Sequence, residues 1–573
     1  MTQTTGGRDT VRIGGEAGQG VQTVGELLGE VYARLGYHVF SNQDYESRVR
    51  GGHNFYQIRV SNRRVMSSAE RMDILVAMDR ASIEDDFGSL TTQGLAVLDS
   101  ETLGIKADGP RMVDVPFKRL AAEHGGSPVM ANTVATGAVL GMLGMGITAL
   151  EDLLRRHFTK KGDAVVEENL KAARAGYEYA KANCRECRFM PAEPPNKPKL
   201  LINGVEGAAC GALSSGLKFY SAYPMTPSTG VMNSIAAKAE KYGVVVEQAE
   251  DEIAAINMAL GASFAGVRAA TGTSGGGFAL MVEGLSLAGM TETPIVIFEA
   301  MRPGPATGLP TRTEQGDLLF ILFAGHGEFP RAVFAPGSPE QAIFLTSKAF
   351  EIAEKYQIPA FVILDQYLVD SQWTYDGIDA AKLIYNDYRL RFDALKALKD
   401  YKRHAYTDSG VTPLAVPGES EHVVVADSDE HDEEGHIIED AATRIGMVHK
   451  RLFNKRDALR AEIAQPMRYG ADAPEVVLTG WGSTYGVLKE AVDVLNSSGT
   501  RAAMLYFNEI YPLPSGDYVG YLMSAKRAVC VEGNATGQFA SLIRMHTGFE
   551  FSSLITRYDG RPLTVDYILR GLG

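Results

Sequence analysis

Cysteine is scarce: four residues in 573, at Cys184, Cys187, Cys210 and Cys530. So few exclude a disulfide framework for a chain of this size. A four-thiolate cluster or zinc site would need two more cysteines near Cys184-x-x-Cys187, the one pair at ligand spacing. Cys210 and Cys530 are distant and read as apolar, strand-like positions, so no metal is expected on this chain. Positive charge is also short, with 56 Lys and Arg against 70 Asp and Glu, a net −14 that argues against non-specific nucleic-acid binding. No uninterrupted apolar run reaches spanning length, and the window at 140–150 is short and glycine-rich. The start MTQTTGGRDT is polar, without a basic-then-apolar signal, so a cytoplasmic location is expected.

What is present is glycine, 61 residues, placed repeatedly between strand-like and helix-like segments. The length predicts three or four domains. Val11-Arg12-Ile13 reads as a strand and leads into Gly14-Gly15-Glu16-Ala17-Gly18-Gln19-Gly20. Val21, Val24, Leu28, Val31 and Leu35 then repeat at the helical period. Strand, glycine turn and helix open a doubly wound α/β unit. The turn suits either an anion at a helix start or close helix packing. Its spacing differs from the dinucleotide fingerprint G-x-G-x-x-G. Arg48-Val-Arg50-Gly51-Gly52-His53 sets two guanidinium groups beside a glycine pair, fit for phosphates or for surface ion pairs. Residues 190–199 carry four prolines and read as a stiff linker.

A second alternating unit follows from about Leu200. Its densest motif is Tyr223-Pro-Met-Thr226-Pro-Ser228-Thr229, between an apolar segment at Leu217–Tyr220 and a helical rhythm of Val231, Ile235, Ala239 and Tyr242 ended by Gly243. The prolines stiffen the loop and Ser228 or Thr229 is placed to cap the helix, so the segment suits either a carboxylate cradle using the Thr226 hydroxyl or a plain strand-to-helix turn. Glu250-Asp251-Glu252 opens a helix rich in Ala and Gly; the acids suit the helix dipole, or, given the close packing such small residues allow, one of them is buried. Ala270–Gly277 is another strand-to-helix glycine turn. Arg302-Pro-Gly-Pro-Ala-Thr-Gly-Leu-Pro-Thr311-Arg-Thr-Glu-Gln315 follows the hydrophobic strand Pro294–Phe298. Residues 427–436, Asp-Ser-Asp-Glu-His-Asp-Glu-Glu-Gly-His, offer metal-ligand types but read as a solvated acidic turn. A third α/β unit begins at Glu475-Val-Val-Leu-Thr-Gly480, and Arg501–Tyr506 and Arg527–Glu532 are its further strands.

Taken in order, the Tyr-Pro-Met-Thr-Pro-Ser-Thr loop, Glu-Asp-Glu-Ile-Ala-Ala, Thr-Ser-Gly-Gly-Gly, the Arg302–Gln315 loop and Gly325-His-Gly-Glu-Phe-Pro330 resemble the alpha subunit of 2-oxoacid:ferredoxin oxidoreductases. The N-terminal Gly-Gly-Glu-Ala-Gly-Gln-Gly segment with Arg-Val-Arg-Gly-Gly resembles that family's gamma domain, here fused ahead of alpha. Val531-Glu-Gly-Asn-Ala-Thr-Gly-Gln538 resembles its transketolase C-terminal-like domain. The resemblance implies several doubly wound α/β domains: gamma-type at 1–185, linker at 186–199, thiamine-diphosphate pyrimidine-binding at 200–400, a charged connection at 401–470, and the transketolase C-terminal-like domain at 471–573.

By the same resemblance Glu252 is the catalytic glutamate that hydrogen-bonds the thiamine pyrimidine, with Glu250 as the neighbour that could be mistaken for it. Thr226, Arg302 and Thr311 bind the oxoacid, and Arg48 and Arg50 contact coenzyme A. The implied reaction is oxidative decarboxylation of a 2-oxoacid with coenzyme A to acyl-CoA and carbon dioxide. It reduces ferredoxin and is potentially reversible, as in a reductive TCA cycle. Gly-Asp-Gly, the start of the family's diphosphate–magnesium motif, occurs nowhere in the chain. Mg²⁺ and a [4Fe-4S] cluster are therefore expected on a separate beta subunit, in an α₂β₂ heterotetramer, and this chain alone is expected to be inactive. The fused architecture favours 2-oxoglutarate over pyruvate or a branched-chain acid. A dinucleotide-binding electron-transfer subunit and a non-catalytic scaffold are the alternatives.

Overall fold

A computed structural model describes residues 9–47, 51–184 and 197–573. The chain forms two compact units. The first comprises residues up to 202 with 370–378 and 564–570; the second comprises 203–369, 379–563 and 571–573. Arg48, Arg50, Cys187 and most of the proline-rich stretch lie outside the described residues. No helix among the described residues is long and apolar enough to cross a membrane.

The first unit is built on an eight-stranded sheet. Its order is Met112–Asp114, Leu90–Leu98, Met72–Ala77, Asp9–Ala17, Gly51–Ser61, His38–Asp44, Gln372–Tyr375 and Leu200–Asn203. The helical rhythm after the first glycine turn is real: Val21–Arg34 is a helix, and Val21, Val24, Leu28 and Val31 are buried on its inner face. Each such side chain contributes about 1.5–3 kcal/mol. Gly20 starts this helix in the left-handed region, and a Cβ there would collide with Asn132. The strand beside Asp9–Ala17 on one flank is Gly51–Ser61, and it runs antiparallel. A dinucleotide unit requires a parallel neighbour at that place, so the electron-transfer alternative loses its structural basis. The window at 140–150 spans the end of the helix Ala131–Met142, a turn and the start of Thr148–Phe158; in the first helix Gly137 and Gly141 let the backbone of Asp163–Asn183 approach at Ala173 and Tyr177.

The second unit holds a seven-stranded sheet in the order Glu509–Tyr511, Ala332–Phe334, Pro359–Asp365, Ile295–Met301, Arg268–Thr273, Leu217–Ala222, Val245–Gln248. All its pairings are parallel except that of the edge strand Glu509–Tyr511. Ile295–Met301 is buried throughout. Its alternate residues serve two cores. Ile295 and Ile297 pack with Ala255, Ile256, Phe278 and Met281, whereas Val296 and Phe298 pack with Ala349, Phe350 and Ala353. A strand covered by helices on both faces is apolar without alternation, as this one is.

A five-stranded sheet follows in the order Met467–Gly470, Ala502–Phe507, Val476–Trp481, Arg527–Glu532, Ser553–Thr556. Glu532 in its motif is structural: it accepts from Trp481, Asn534 and the backbone of Phe539 and Ala540 at 2.8–3.2 Å, which fixes the start of the helix Gln538–Thr547.

Several local expectations are corrected. Cys210 is exposed on the helix Gly204–Ser214, not in a strand; that helix is an Ala/Gly-rich segment without strand alternation. The rhythm of Val231 to Tyr242 breaks into two helices, Thr229–Ala236 and Ala239–Tyr242. Residues 427–436 are not simply solvated, since His431 is fully buried and packs at a tilt against His404 with ring centroids 4.1 Å apart, while Glu430 pairs with Arg451 and Arg444.

Candidate functional site

Parallel strands send their following loops to one edge of a sheet. Leu217–Ala222, Arg268–Thr273 and Ile295–Met301 are consecutive neighbours here, so the three motif loops at 223–228, 274–275 and 302–317 gather at the same end. Arg302 Nη1 donates to the main-chain carbonyl of Thr226 at 2.8 Å, which joins the first loop to the third. Both residues are half-buried, as is Thr311. Gly308 adopts φ +53°, and a Cβ there would collide with the Pro303 carbonyl; the loop returns on itself at a point that admits only glycine comfortably.

Asp251 caps the helix Glu252–Phe264 by accepting from the Ala254 N–H at 2.7 Å. Glu252, the first helical residue, turns inward and is 4% exposed, whereas Glu250 is exposed. The packing that buries it comes from the facing helix Gly275–Met290. A Cβ at Gly277 would collide with Thr273 Oγ1 and lie 2.8 Å from Glu252 Cδ, and one at Gly284 would lie 2.8 Å from Ile256 Cγ2. Of the small residues in the glutamate's own helix, Ala255 and Ala259 are buried in the same core, whereas Gly261 is exposed.

Glu252 Oε1 has no hydrogen-bond partner among the described residues. A buried carboxylate oxygen without a donor is costly, and it is satisfied by a ligand that brings one. Thr273, whose hydroxyl borders the same Gly277 gap, is 4.0 Å from Met225 Sδ, so the glutamate stands next to the Thr226 loop. A thiamine pyrimidine fits such a group, with a ring nitrogen available to the free oxygen and no side chain at position 277 in the way. Ser228 stands at the start of Thr229–Ala236 but makes no capping bond; its Oγ is buried and unpartnered among the described residues, with Gly272 leaving room beside it.

Two acids that the sequence did not single out lie behind this edge. Glu299 is fully buried near the end of Ile295–Met301, and Asp317 precedes the helix Leu318–Phe323. A carboxyl inside an otherwise apolar strand has no periodic or spacing signature. Burial holds the Glu299 carboxyl well above the usual range, and the nearby Asp317 adds to this. Burial also raises Asp317, offset by Glu299 and Arg302. Gln315 was expected only as the end of a motif. It anchors the loop, bonding Gly533 through both backbone and side chain and donating to the Trp481 carbonyl at 3.0 Å.

Glu292, His404 and His431 also bring metal-ligand atom types within 4.8 Å of one another. Lys450 and Lys455 both bond the Glu292 carboxylate, His404 adds a contact at 3.1 Å, and the two imidazole rings pack at a tilt of 49°. This is a buried ion-paired knot that ties the 401–470 segment to the end of the helix Gly275–Met290.

In the first unit a cleft of about 610 Å³ opens beside the glycine turn, lined by Glu16, Gly18, Gly20, Asp44, Glu46 and Asn54 among others. The strands His38–Asp44 and Gly51–Ser61 contribute Asp44 and Asn54 to that lining.

A family model described as "Pyruvate flavodoxin/ferredoxin oxidoreductase, thiamine diP-bdg" matches residues 210–450, and one described as "Pyruvate ferredoxin/flavodoxin oxidoreductase" matches 10–179. The chain is 32% identical to a 2-oxoacid:ferredoxin oxidoreductase subunit alpha of Sulfolobus sp, over 98% of this chain and 96% of that one. It is 28% identical to the 2-oxoglutarate oxidoreductase subunit KorA of Mycobacterium tuberculosis, over 98% of this chain and 90% of the other. Its fold matches a solved 2-oxoglutarate:ferredoxin oxidoreductase from Magnetococcus marinus, bound to 2-oxoglutarate, coenzyme A and succinyl-CoA, with a TM-score of 0.92, 31% identity and 99% of each chain covered. Relatedness along nearly the whole length, with both family models matched, shows that the chain belongs to the 2-oxoacid:ferredoxin oxidoreductase family as an alpha subunit.

Proposed function

We propose that this subunit serves the coenzyme A-dependent oxidative decarboxylation of 2-oxoglutarate, with ferredoxin as electron acceptor and with the reverse reaction open to it. The observation that carries this reading is the unpartnered Glu252 Oε1 beside the loops joined by Arg302 and Thr226. The relatives from M. tuberculosis and M. marinus, both named for 2-oxoglutarate, support the choice of acid.

Bound thiamine diphosphate supplies the carbon nucleophile and the electron sink for decarboxylation. Glu252 holds the pyrimidine nitrogen in a hydrogen bond and sets its proton balance. Arg302 meets the oxoacid carboxylate with its guanidinium while its own position is fixed on the Thr226 carbonyl, and the hydroxyls of Thr226 and Thr311 complete the anion's contacts. Coenzyme A is assigned to the cleft of the first unit. Its lining includes Glu16, Asp44 and Glu46, so Arg48 and Arg50 supply the positive charge that a phosphate requires. Mg²⁺, the [4Fe-4S] cluster and the diphosphate site belong to a beta subunit with a Gly-Asp-Gly motif, in an (αβ)₂ assembly.

The test is to purify this chain with the product of a neighbouring reading frame that encodes Gly-Asp-Gly and clustered cysteines. Ferredoxin reduction is then measured with 2-oxoglutarate, pyruvate and a branched-chain 2-oxoacid. A highest kcat/KM with 2-oxoglutarate supports the reading; a higher value for pyruvate overturns the choice of acid.

A further inference from the structure

Glu299 is a fully buried carboxyl, and neither of its oxygens has a hydrogen-bond partner of the ordinary donor kind among the described residues. Thr273 and Ile363 flank it in register on the two neighbouring strands. The group it meets is the Asp317 carboxyl. Asp317 is itself held in place by the absence of a side chain at Gly275, where a Cβ would collide with its carboxylate. The other charged groups acting on the pair are Arg302, which faces Asp317, and Glu314, whose own carboxyl is pushed up by burial and then by Asp317.

Two carboxylates in contact cannot both be charged in a buried place. One proton between them turns repulsion into a hydrogen bond. Glu299 is the deeper of the two and has no cation, whereas Asp317 is partly exposed and faces the Arg302 guanidinium. We propose that Glu299 keeps the proton and donates it in a hydrogen bond to Asp317, and that this singly charged pair positions Arg302 for the oxoacid carboxylate. Glu299 and Asp317 are thus positioning residues. The influence runs from Glu299 to Asp317, from the Asp317 charge through space to Arg302, and by a hydrogen bond from Arg302 to the Thr226 carbonyl. Ionising Glu299 would set two negative charges behind one arginine and draw it back from the substrate. The proposal rests on the assignment of Arg302 to the oxoacid.

The experiment uses the assembled enzyme with its beta subunit. Infrared spectra at neutral pH should contain a protonated-carboxyl carbonyl band that Glu299→Gln lacks. Glu299→Ala, which leaves Asp317 without its donor, should raise the oxoacid KM about tenfold with kcat little changed. Glu299→Gln places an N–H where the acid O–H stood, and it should bring KM back to within about twofold of the natural enzyme. The natural enzyme's KM should climb at alkaline pH, and that rise should vanish in Glu299→Gln. No band difference, or an unchanged KM in Glu299→Ala, overturns the proposal. If the band is present but Arg302→Ala leaves KM unchanged, the shared proton stands and the substrate assignment falls. If the band is missing while Arg302→Ala raises KM, the assignment stands and the pair falls.

Discussion

Arg302 reaches across two loops to the main-chain carbonyl of Thr226, 76 residues earlier in the chain, at 2.8 Å. Because the acceptor is backbone, Thr226→Ala keeps this tie and removes only a hydroxyl. Loss of that neutral contact is expected to cost about 0.5–1.5 kcal/mol of oxoacid binding, against about 1.5–3 kcal/mol for Arg302→Ala. Arg302→Lys should recover part of the loss, since a point charge does not reproduce the planar fork. Varying oxoacid and coenzyme A separately checks this. The oxoacid KM should move and that for coenzyme A should not.

Glu252→Gln should leave assembly intact and reduce turnover by about 10²–10⁴-fold, the usual effect of losing a positioned acid–base group. Glu250 is exposed, and Glu250→Gln should stay close to the natural rate. Single-turnover measurements on both variants decide; the reverse ranking would shift the catalytic assignment by two residues.

Gly277→Ala should act like damage to Glu252, because its methyl group would collide with Thr273 Oγ1 and press on the glutamate. Next to it, a Cβ at Gly276 meets nothing nearer than the Ala306 carbonyl at 3.8 Å. Gly276→Ala should therefore fold with equal or greater stability, by up to about 1 kcal/mol. Thiamine affinity by calorimetry, read beside the melting temperature, separates site damage from loss of fold.

Burial alone would push the Glu292 carboxyl up. Lys455, Lys450 and His404 outweigh it and hold the group well below its usual range. A depressed folded pKa gives stability that is present above the ordinary carboxylate pKa and is lost as pH falls below it toward the folded value. The natural chain should lose melting temperature through that acid window, and Glu292→Gln should lack this share of the decline. At neutral pH the same variant leaves two buried lysines without their partner and should cost about 3–5 kcal/mol.

The separately purified chain should contain no stoichiometric iron or sulfide. Among the described residues, Cys210 is exposed on a helix and Cys530 is buried in a strand, which leaves too few cysteines at ligand spacing for a four-thiolate cluster. Elemental analysis and acid-labile sulfide assay measure this directly. Iron and sulfide at cluster stoichiometry would place the cofactor on this subunit.

Local order along the chain made most strands and the proline-stiffened loops legible, though not the break between Thr229–Ala236 and Ala239–Tyr242. Pro294–Phe298 read as a strand from its apolar residues and the prolines of Tyr223–Thr229 and Arg302–Gln315 marked two stiff loops, whereas the roles given to Thr226, Glu252 and Arg302 came from the family resemblance of their motifs. Periodicity does not encode which loops share a sheet edge. The 2.8 Å bond from Arg302 to Thr226 depends on the neighbouring places of Leu217–Ala222, Arg268–Thr273 and Ile295–Met301, which long-range parallel pairing decides. Nor does spacing show that Gly51–Ser61 runs antiparallel beside the first strand. The roles of Glu299 and Asp317 likewise come from tertiary structure. A carboxyl acquires its proton from the dielectric and the charges around it, and those exist only once β-strand, loop and helix have closed over it.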